Sequence, residues 1–412
     1  MFLLDRLLTR IVRAGPLTVI DAKGRRRSYG DASPATKPVT VRLADNKVMW
    51  DIAFQPPLKT GEAYMEGRLI LEKGDILDLL DLVGYNARWE DDNPVRSMLW
   101  HGRHAARQGR NGRRLAKRNV AHHYDLSDRL YDLFLDADRQ YSCAYFTDPA
   151  NSLEQAQADK KTHIAAKLYL KPGQKVLDIG CGWGGMALYL NKVADVDVLG
   201  VTLSEEQLKV ARRRAEEAGV ADRVRFELID YRDVTGSFDR IVSVGMFEHV
   251  GPSHYPEFFE TCRKLLTTDG VMLLHTIGHV DGPSPTDPWV AKYIFPGGYI
   301  PALSEVAPVV EKAGLWLTDL EVLRLHYAAT LEHWYERTQA ARDQIIALYD
   351  ERFFRMWEYY LAASIIAFRH DGFANFQFQL TRRRDALPLT RDYMLREEER
   401  MKADPPLAMA AE

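Results

Sequence analysis

Gly180, Gly182, Gly184 and Gly185 follow directly on the apolar run Val176 to Ile179, in the segment VLDIGCGWGG. Glycines placed there let the chain turn sharply after a buried strand and leave no Cβ between backbone and ligand, the requirement of a nucleotide-type cofactor. Asp178 stands where that strand ends. The glycine pattern alone is also found in dinucleotide folds, so the downstream residues decide. A dinucleotide site expects an acid about 20 residues on, at the end of the second strand, to hold the ribose. Here Val196 to Val201 runs into Thr202-Leu203-Ser204, with no carboxylate at the strand end. S-adenosylmethionine, with its zwitterionic methionine part and cationic sulfonium, is better suited to a crevice that also holds Asp230 and Glu248.

From about Asn119 the pattern alternates helix with strand, which predicts an open parallel sheet covered on both faces. The strands fall at Val176 to Ile179, Val196 to Val201, Val224 to Leu228, Arg240 to Val244 and Val271 to Leu274. Glu205 to Ala218 reads as an amphipathic helix ended by Gly219. Ligands of such sheets bind at the carboxyl ends of the strands, so Asp178, Thr202, Asp230, Glu248 and His275 are expected to face one crevice. Taken singly, each has a plainer role, since acids near helix starts act as caps and a lone histidine is often a satisfied core residue.

Residues 1–92 read as a small α+β lobe for packing and docking. It opens with an amphipathic helix, followed by strands at Pro38 to Leu43 and Lys47 to Ala53. Gly61 to Gly67 reads as a turn into a helix covering LILEKGDILDLLDLVG. Beyond about Val290 the sequence becomes aromatic and helical, notably Leu331 to Phe368, and predicts a helical cap over the catalytic domain, 119–403. Its aromatic residues suit either a core or an apolar channel. The tail, 404–412, has no pattern.

The 412 residues, 46% of them hydrophobic, suffice for a large core. Cys143, Cys181 and Cys262 give neither a disulfide framework nor metal spacing, which suits a reducing cytosol. Charged residues interrupt the first helix as a signal peptide, and no apolar run reaches 18 residues, so any membrane contact is expected to be peripheral, at the cytoplasmic face. Net charge is −3, yet Asn93 to Arg118 carries seven Arg and one Lys and no acid. That segment, 93–118, reads as a solvated linker or, with Met98, Leu99 and Trp100 beside the charges, as a contact with anionic lipid. Nucleic acid is not expected as a partner, because the basic run lacks aromatic interleaving.

Several separate motifs resemble the cyclopropane fatty acid synthase family, which includes the mycolic acid cyclopropane synthases. They are HHYDLSDRLYDLFLD with YSCAYF, VLDIGCGWGG, GVTLSEEQ, MFEHVG, LLHTIG, YIFPGGYIP and LHYAATLEHW, spread over about Asn119 to Leu380. The resemblance implies a Rossmann-like class I S-adenosylmethionine methyltransferase domain with a helical acyl-chain cap. It implies methylene transfer to the cis double bond of an unsaturated acyl chain in a membrane phospholipid, and a possible homodimer. By motif position, Tyr141, Ser142, Asp178, Gly180, Gly182, Gly184, Thr202, Gln207, Asp230 and Tyr231 are implied cofactor contacts. Cys143, Glu248, His275, Ile277 and Tyr327 are implied catalytic and bicarbonate-binding residues, with bicarbonate or His275 taking the proton released on ring closure. One departure is Ser364, where the family's C-terminal helical motif has cysteine, and it is read as a packing variant. A lipid methyltransferase that leaves a methyl or methylene branch, and a silent lipid-binding protein, are the competing readings.

Overall fold

The computed structural model describes residues 2–91 and 128–403. The basic segment 93–118 and the tail 404–412 lie outside the described residues. The chain divides into two compact units. One gathers the described residues of 1–108 with Ser284–Pro296 and Tyr327–Phe373; the other gathers the described residues of 109–283, Gly297–His326 and those from Ala374 onward. The helical segments expected to cap a catalytic domain of 119–403 therefore group with the N-terminal lobe by compactness.

In the first unit, strands β1 (Leu17–Ile20), β2 (Arg26–Tyr29), β3 (Val39–Leu43) and β4 (Leu69–Lys73) form a sheet of order β2-β1-β3-β4. Two sequence expectations fail here. Lys47 to Ala53 is not a strand but part of the helix Asn46–Phe54, because the Asp45 side chain accepts from the Val48 amide at 3.0 Å and starts a helix. Gly61 to Met65 is helical, and the apolar run after it is split by Gly74 at φ +79°, a conformation no helix accommodates. Leu69–Lys73 pairs with β3 before that glycine. After it, Asp75 and Asp78 form a reciprocal capping box for the helix Ile76–Tyr85.

The helix Glu351–His370 joins this unit closely. A Cβ on Gly84 would stand 2.5 Å from the Ile366 side chain, so only glycine permits the approach. Asp81 holds the end of the long helix, 3.2 Å from Arg369 and 2.9 Å from His370. The aromatic run is core here: Trp334, Trp357, Tyr359, Tyr360 and Phe368 are buried. Among the described residues no helix is long and apolar enough to cross a membrane.

The second unit is built on β5 (Lys175–Ile179), β6 (Asp197–Thr202), β7 (Val224–Leu228), β8 (Phe238–Val244), β9 (Leu266–His279), β10 (Trp316–Leu323) and β11 (Phe373–Thr381). Their order is β10-β11-β9-β8-β5-β6-β7, with β7 through β9 parallel and β10 antiparallel to β11. The first five are the strands predicted, with β9 much longer than expected. The central strands β5, β6, β8 and β9 are buried on both faces over most of their length, which is why they read as near-continuous apolar runs, whereas the edge strand β7 alternates buried and exposed residues. Leu177, Ile179, Ile241 and Leu274 enter one core cluster, while Val176, Val198, Val242 and Leu273 enter the other. The helix Glu205–Glu217 ends one residue short of prediction, with Ser204 capping it through the Gln207 amide and Gly219 following at φ +67°.

β10 and β11 were not foreseen. β11 alternates Ala374, Phe376, Phe378 and Leu380 with Asn375, Gln377, Gln379 and Thr381, and both rows are buried. A polar row ordinarily signals a solvated face. Here it meets the helix Leu153–Leu168, whose own buried residues include Gln157, Asp159, Lys160, Thr162, His163 and Lys167.

Candidate active site

A cavity opens at the carboxyl ends of β5 and β6. The loop after β5 is tied to β6 by the Gly180 and Cys181 amides, which donate to the Val201 carbonyl at 2.9 and 3.0 Å. Gly180, Gly182 and Gly184 have φ of +81°, +54° and +84°, a region that costs other residues strain. Their roles differ. A Cβ on Gly184 would meet Phe226 at 2.7 Å, whereas one on Gly182 would meet no protein atom within 4 Å and would project into open space.

Of the ten implied cofactor contacts, nine line this cavity: Tyr141, Ser142, Asp178, Gly180, Gly182, Thr202, Gln207, Asp230 and Tyr231. Gly184 instead stands at the start of the helix Gly185–Ala194. Thr202 donates to Gln207 Oε1 at 3.2 Å and accepts from the Ser204 amide at 3.2 Å, so the turn after β6 is fixed before any ligand arrives. Asp230 is gripped by Arg232 through both carboxylate oxygens, at 2.8 and 2.6 Å. Tyr231 lies edge-on to Phe258, with centroids 5.4 Å apart.

Asp178 is 2% exposed, and its Oδ2 is buried with no hydrogen-bond partner. Burial pushes its pKa up to about 7. An orphaned acceptor in a cavity wall fits a ligand that brings positive charge or N–H and O–H groups. The open space at Gly182 likewise fits a ligand that lies against backbone. Both observations fit S-adenosylmethionine.

Further wall residues escaped the sequence reading: Arg139, Gln140, Met246, His249 and His254. Arg139 holds φ +53°, a strained value for a side-chain-bearing residue, while its guanidinium reaches Asp132 at 2.7 Å. Burial takes the His249 pKa down to about 4. Below the segment Gln140–Ser142 lies Lys160, fully buried, donating to Gln140 Oε1 at 2.7 Å and Ser142 Oγ at 2.8 Å. Gln157 donates to the Gln140 and Ser142 carbonyls at 3.2 and 3.0 Å. The available signal was polar residues at helical spacing, 157, 160, 163 and 167, a pattern normally read as a solvated stripe.

The single crevice expected for all five strand-end residues is not what the structure forms. Asp178, Thr202 and Asp230 line the cavity, but Glu248 and His275 are not among its walls. Glu248 lies in the short turn Phe247–His249 and accepts from the Ile277 amide of β9 at 2.7 Å. Its Oε2 is buried with no partner within hydrogen-bond geometry, and burial raises its pKa, opposed by that amide, by the Glu248 backbone amide and by the neighbouring Thr276 hydroxyl. His275 turns to β11, where the Asn375 amide nitrogen lies 2.7 Å from Nε2 and the Gln377 amide nitrogen 3.1 Å from Nδ1. Burial, then the nearby Lys160 and Lys167, hold its pKa well below the usual histidine range. Cys143 is buried and donates to the Ala144 carbonyl at 3.3 Å. Tyr327 belongs to the first unit, where its ring packs on Phe368 at 4.8 Å.

Residues 112–378 match the family model described as mycolic acid cyclopropane synthetase. A probable fatty acid methyltransferase of Pseudomonas putida is 36% identical over 347 residues, covering 82% of this chain and 85% of that protein. The cyclopropane-fatty-acyl-phospholipid synthase of Escherichia coli K12 is 48% identical over 247 residues, which span 60% of this chain and 63% of the relative. Among solved structures, the mycolic acid cyclopropane synthase CmaA1 complexed with SAH and CTAB superposes with a TM-score of 0.61 at 35% identity, covering 64% of this chain and 97% of that one. The strand order, the glycine loop on β5 and these likenesses agree: the chain belongs to the mycolic acid cyclopropane synthetase family and is an S-adenosylmethionine-dependent methyltransferase with the class I Rossmann-like fold.

Proposed function

We propose that the enzyme transfers a methylene unit from S-adenosylmethionine to the cis double bond of an unsaturated phospholipid acyl chain and closes a cyclopropane ring. The observation that carries this reading is Glu248, whose buried Oε2 has no partner while Oε1 is fixed by the Ile277 amide. When bound, S-adenosylmethionine supplies an electrophilic methyl group and bicarbonate supplies a base for the proton that ring closure releases. In this reading Asp178, Ser142, Thr202 and Gln207 hold the donor, with the glycine loop giving it backbone contact.

Glu248, with its pKa raised by burial, holds the hydroxyl of bicarbonate through the free oxygen and keeps the base beside the cation left by methyl transfer. The resemblance adds Cys143, His275, Ile277 and Tyr327 to that set. His275 acts as a neutral support rather than the direct base, because amide groups occupy both of its ring nitrogens. The likeness to the Pseudomonas protein favours a second reading, a methyl or methylene branch in place of the ring.

Vesicles of an unsaturated phospholipid, incubated with methyl-deuterated donor and analysed by mass spectrometry and proton NMR, separate the two. A cyclopropane that keeps two of the three deuteriums supports ring closure. A branched product moves the function to the second reading. Dependence of turnover on added bicarbonate in degassed buffer tests the base. The enzyme acts peripherally at the cytoplasmic membrane face in this proposal, with the segment 93–118 touching anionic lipid. Neutralising Arg110, Arg113, Arg114 and Arg118 then weakens binding to anionic vesicles by about 1 kcal/mol per charge. Unchanged binding at low salt would reduce the segment to a linker. A homodimer is part of the same proposal, tested by sedimentation.

A further inference from the structure

His275 ends a continuous chain of polar groups whose inner members, Gln377, Lys167 and His163, are buried and whose outer members, Glu321 and Glu398, are half-buried. The Lys167 ammonium, 1% exposed, donates to Gln377 Oε1 at 2.8 Å and to Glu321. Glu321 also meets His163 Nε2 at 2.6 Å, and His163 Nδ1 meets Glu398 at 2.6 Å. Tyr145 stacks flat on the His163 ring at 4.1 Å. Helix Leu153–Leu168, β9, β10, β11 and the helix Asp392–Ala403 each contribute, so the chain is held from five elements.

An ammonium can only donate, so Lys167 dictates which end of the Gln377 amide it receives: the oxygen. The other end, NH₂, then points at His275 Nδ1, 3.1 Å away, and also can only donate. Nδ1 must therefore be the accepting nitrogen. A neutral imidazole carries one proton and accepts from only one amide, so the proton is left to Nε2; Asn375, whose Nδ2 stands 2.7 Å from Nε2, must then turn its amide over and offer its carbonyl oxygen to that proton. Burial and two neighbouring lysines keep the ring uncharged.

We infer that Gln377, clamped by Lys167, is a positioning residue that holds His275 in one ring orientation and in the Nε2-protonated tautomer. The inference rests on the reading of His275 as part of the active site. It gives the polar row of β11 a purpose that packing alone does not require, since a hydrophobic seam would fill the same space at no desolvation cost.

Gln377→Glu is the decisive variant. The new carboxylate has the shape of the amide, keeps Lys167 as a partner and can only accept, so it demands a proton on Nδ1. The full-length enzyme labelled with ¹⁵N-histidine reports ring protonation directly, with the His275 signals identified by their loss in His275→Gln. In the parent, Nε2 is expected to carry the proton; in Gln377→Glu, Nδ1 is expected to be protonated, with kcat down by about 10- to 100-fold and donor KM unchanged. Gln377→Asn, which retains both an acceptor and a donor, is expected to recover part of that loss. A parent ring protonated on Nδ1 overturns the inference. So does a Gln377→Glu enzyme with full turnover when His275→Gln is inactive. Full turnover in His275→Gln instead removes the active-site reading itself, and the two failures are thus distinguished.

Discussion

Two regions of the second unit handle polar groups in opposite ways. The cavity beside β5 and β6 leaves Asp178 Oδ2 unmatched, near Gly182, where a Cβ would project into open space. The seam between β11 and the helix Leu153–Leu168 pairs its groups internally: Lys167 with Gln377 and Glu321, Gln379 with the Lys167 carbonyl and Tyr393. An unmatched buried acceptor costs stability and is kept where a ligand completes it, whereas a matched network gives rigidity. Glu248 joins the two behaviours, with one oxygen fixed and one free. Reaction chemistry is therefore expected where acceptors are left open, and precise placement where they are closed.

The largest expected effect falls on an open acceptor. Glu248→Gln should lower turnover by about 100-fold or more while leaving donor affinity intact, as read by steady-state kinetics and calorimetry. Unchanged turnover would take Glu248 out of the site. Breaking the closed seam should show instead in stability. Lys167→Met leaves Glu321 and Gln377 without their cation, and urea unfolding should register a loss of about 3 kcal/mol. A loss below about 1 kcal/mol would mean that the seam is not the rigid element the contrast requires.

The two glycines sharpen the comparison within one loop. Both valine substitutions carry the strain of a positive φ, but Gly184→Val also forces a Cβ onto Phe226 and should lower the melting temperature more, while Gly182→Val should weaken donor binding more, because its Cβ meets no protein atom within 4 Å. Reversal of that pattern would overturn the assignment of the cavity. The Asp178 carboxyl adds a pH signature. Its pKa in the ligand-free protein is raised to about 7, and a cationic ligand favours the ionised form. Affinity should then improve as pH rises toward 7, by up to about tenfold per unit below it, and level off above, and Asp178→Asn should flatten the profile. The smallest effect is expected at Ser364, half-buried in the helix Glu351–His370. Ser364→Cys should leave turnover within about twofold of the parent, since it exchanges groups of similar size; a large gain would contradict its reading as a packing variant.

The glycine loop, the five parallel strands and the cavity at their carboxyl ends were legible because each depends on local rules: buried strands read as apolar runs, and a tight turn demands glycine. The helix Asn46–Phe54 was misread because its start is decided by the Asp45 cap, which outweighs the strand-like run after it. The polar helix Leu153–Leu168 and β11 escaped for a different reason. A row of Gln, Asn, Lys and His signals water in a sequence, and only pairing across elements distant in the chain turns it into interior. His275 was expected just past a strand ending at Leu274, whereas β9 runs on to His279 and places it within the strand; its tautomer and its turn toward β11 depend on Gln377, 102 residues away.

The fold class, the glycine loop after β5 and the family were set by the amino-acid sequence alone, since these reside in short stretches whose physics is local. Tertiary structure alone decided that Glu248 and His275 lie off the walls of the donor cavity, that the aromatic segment 327–373 groups with the N-terminal lobe, and which polar groups are left open. Those outcomes follow from long-range pairing and burial, where a group's partner, not its type, sets its charge state and its role.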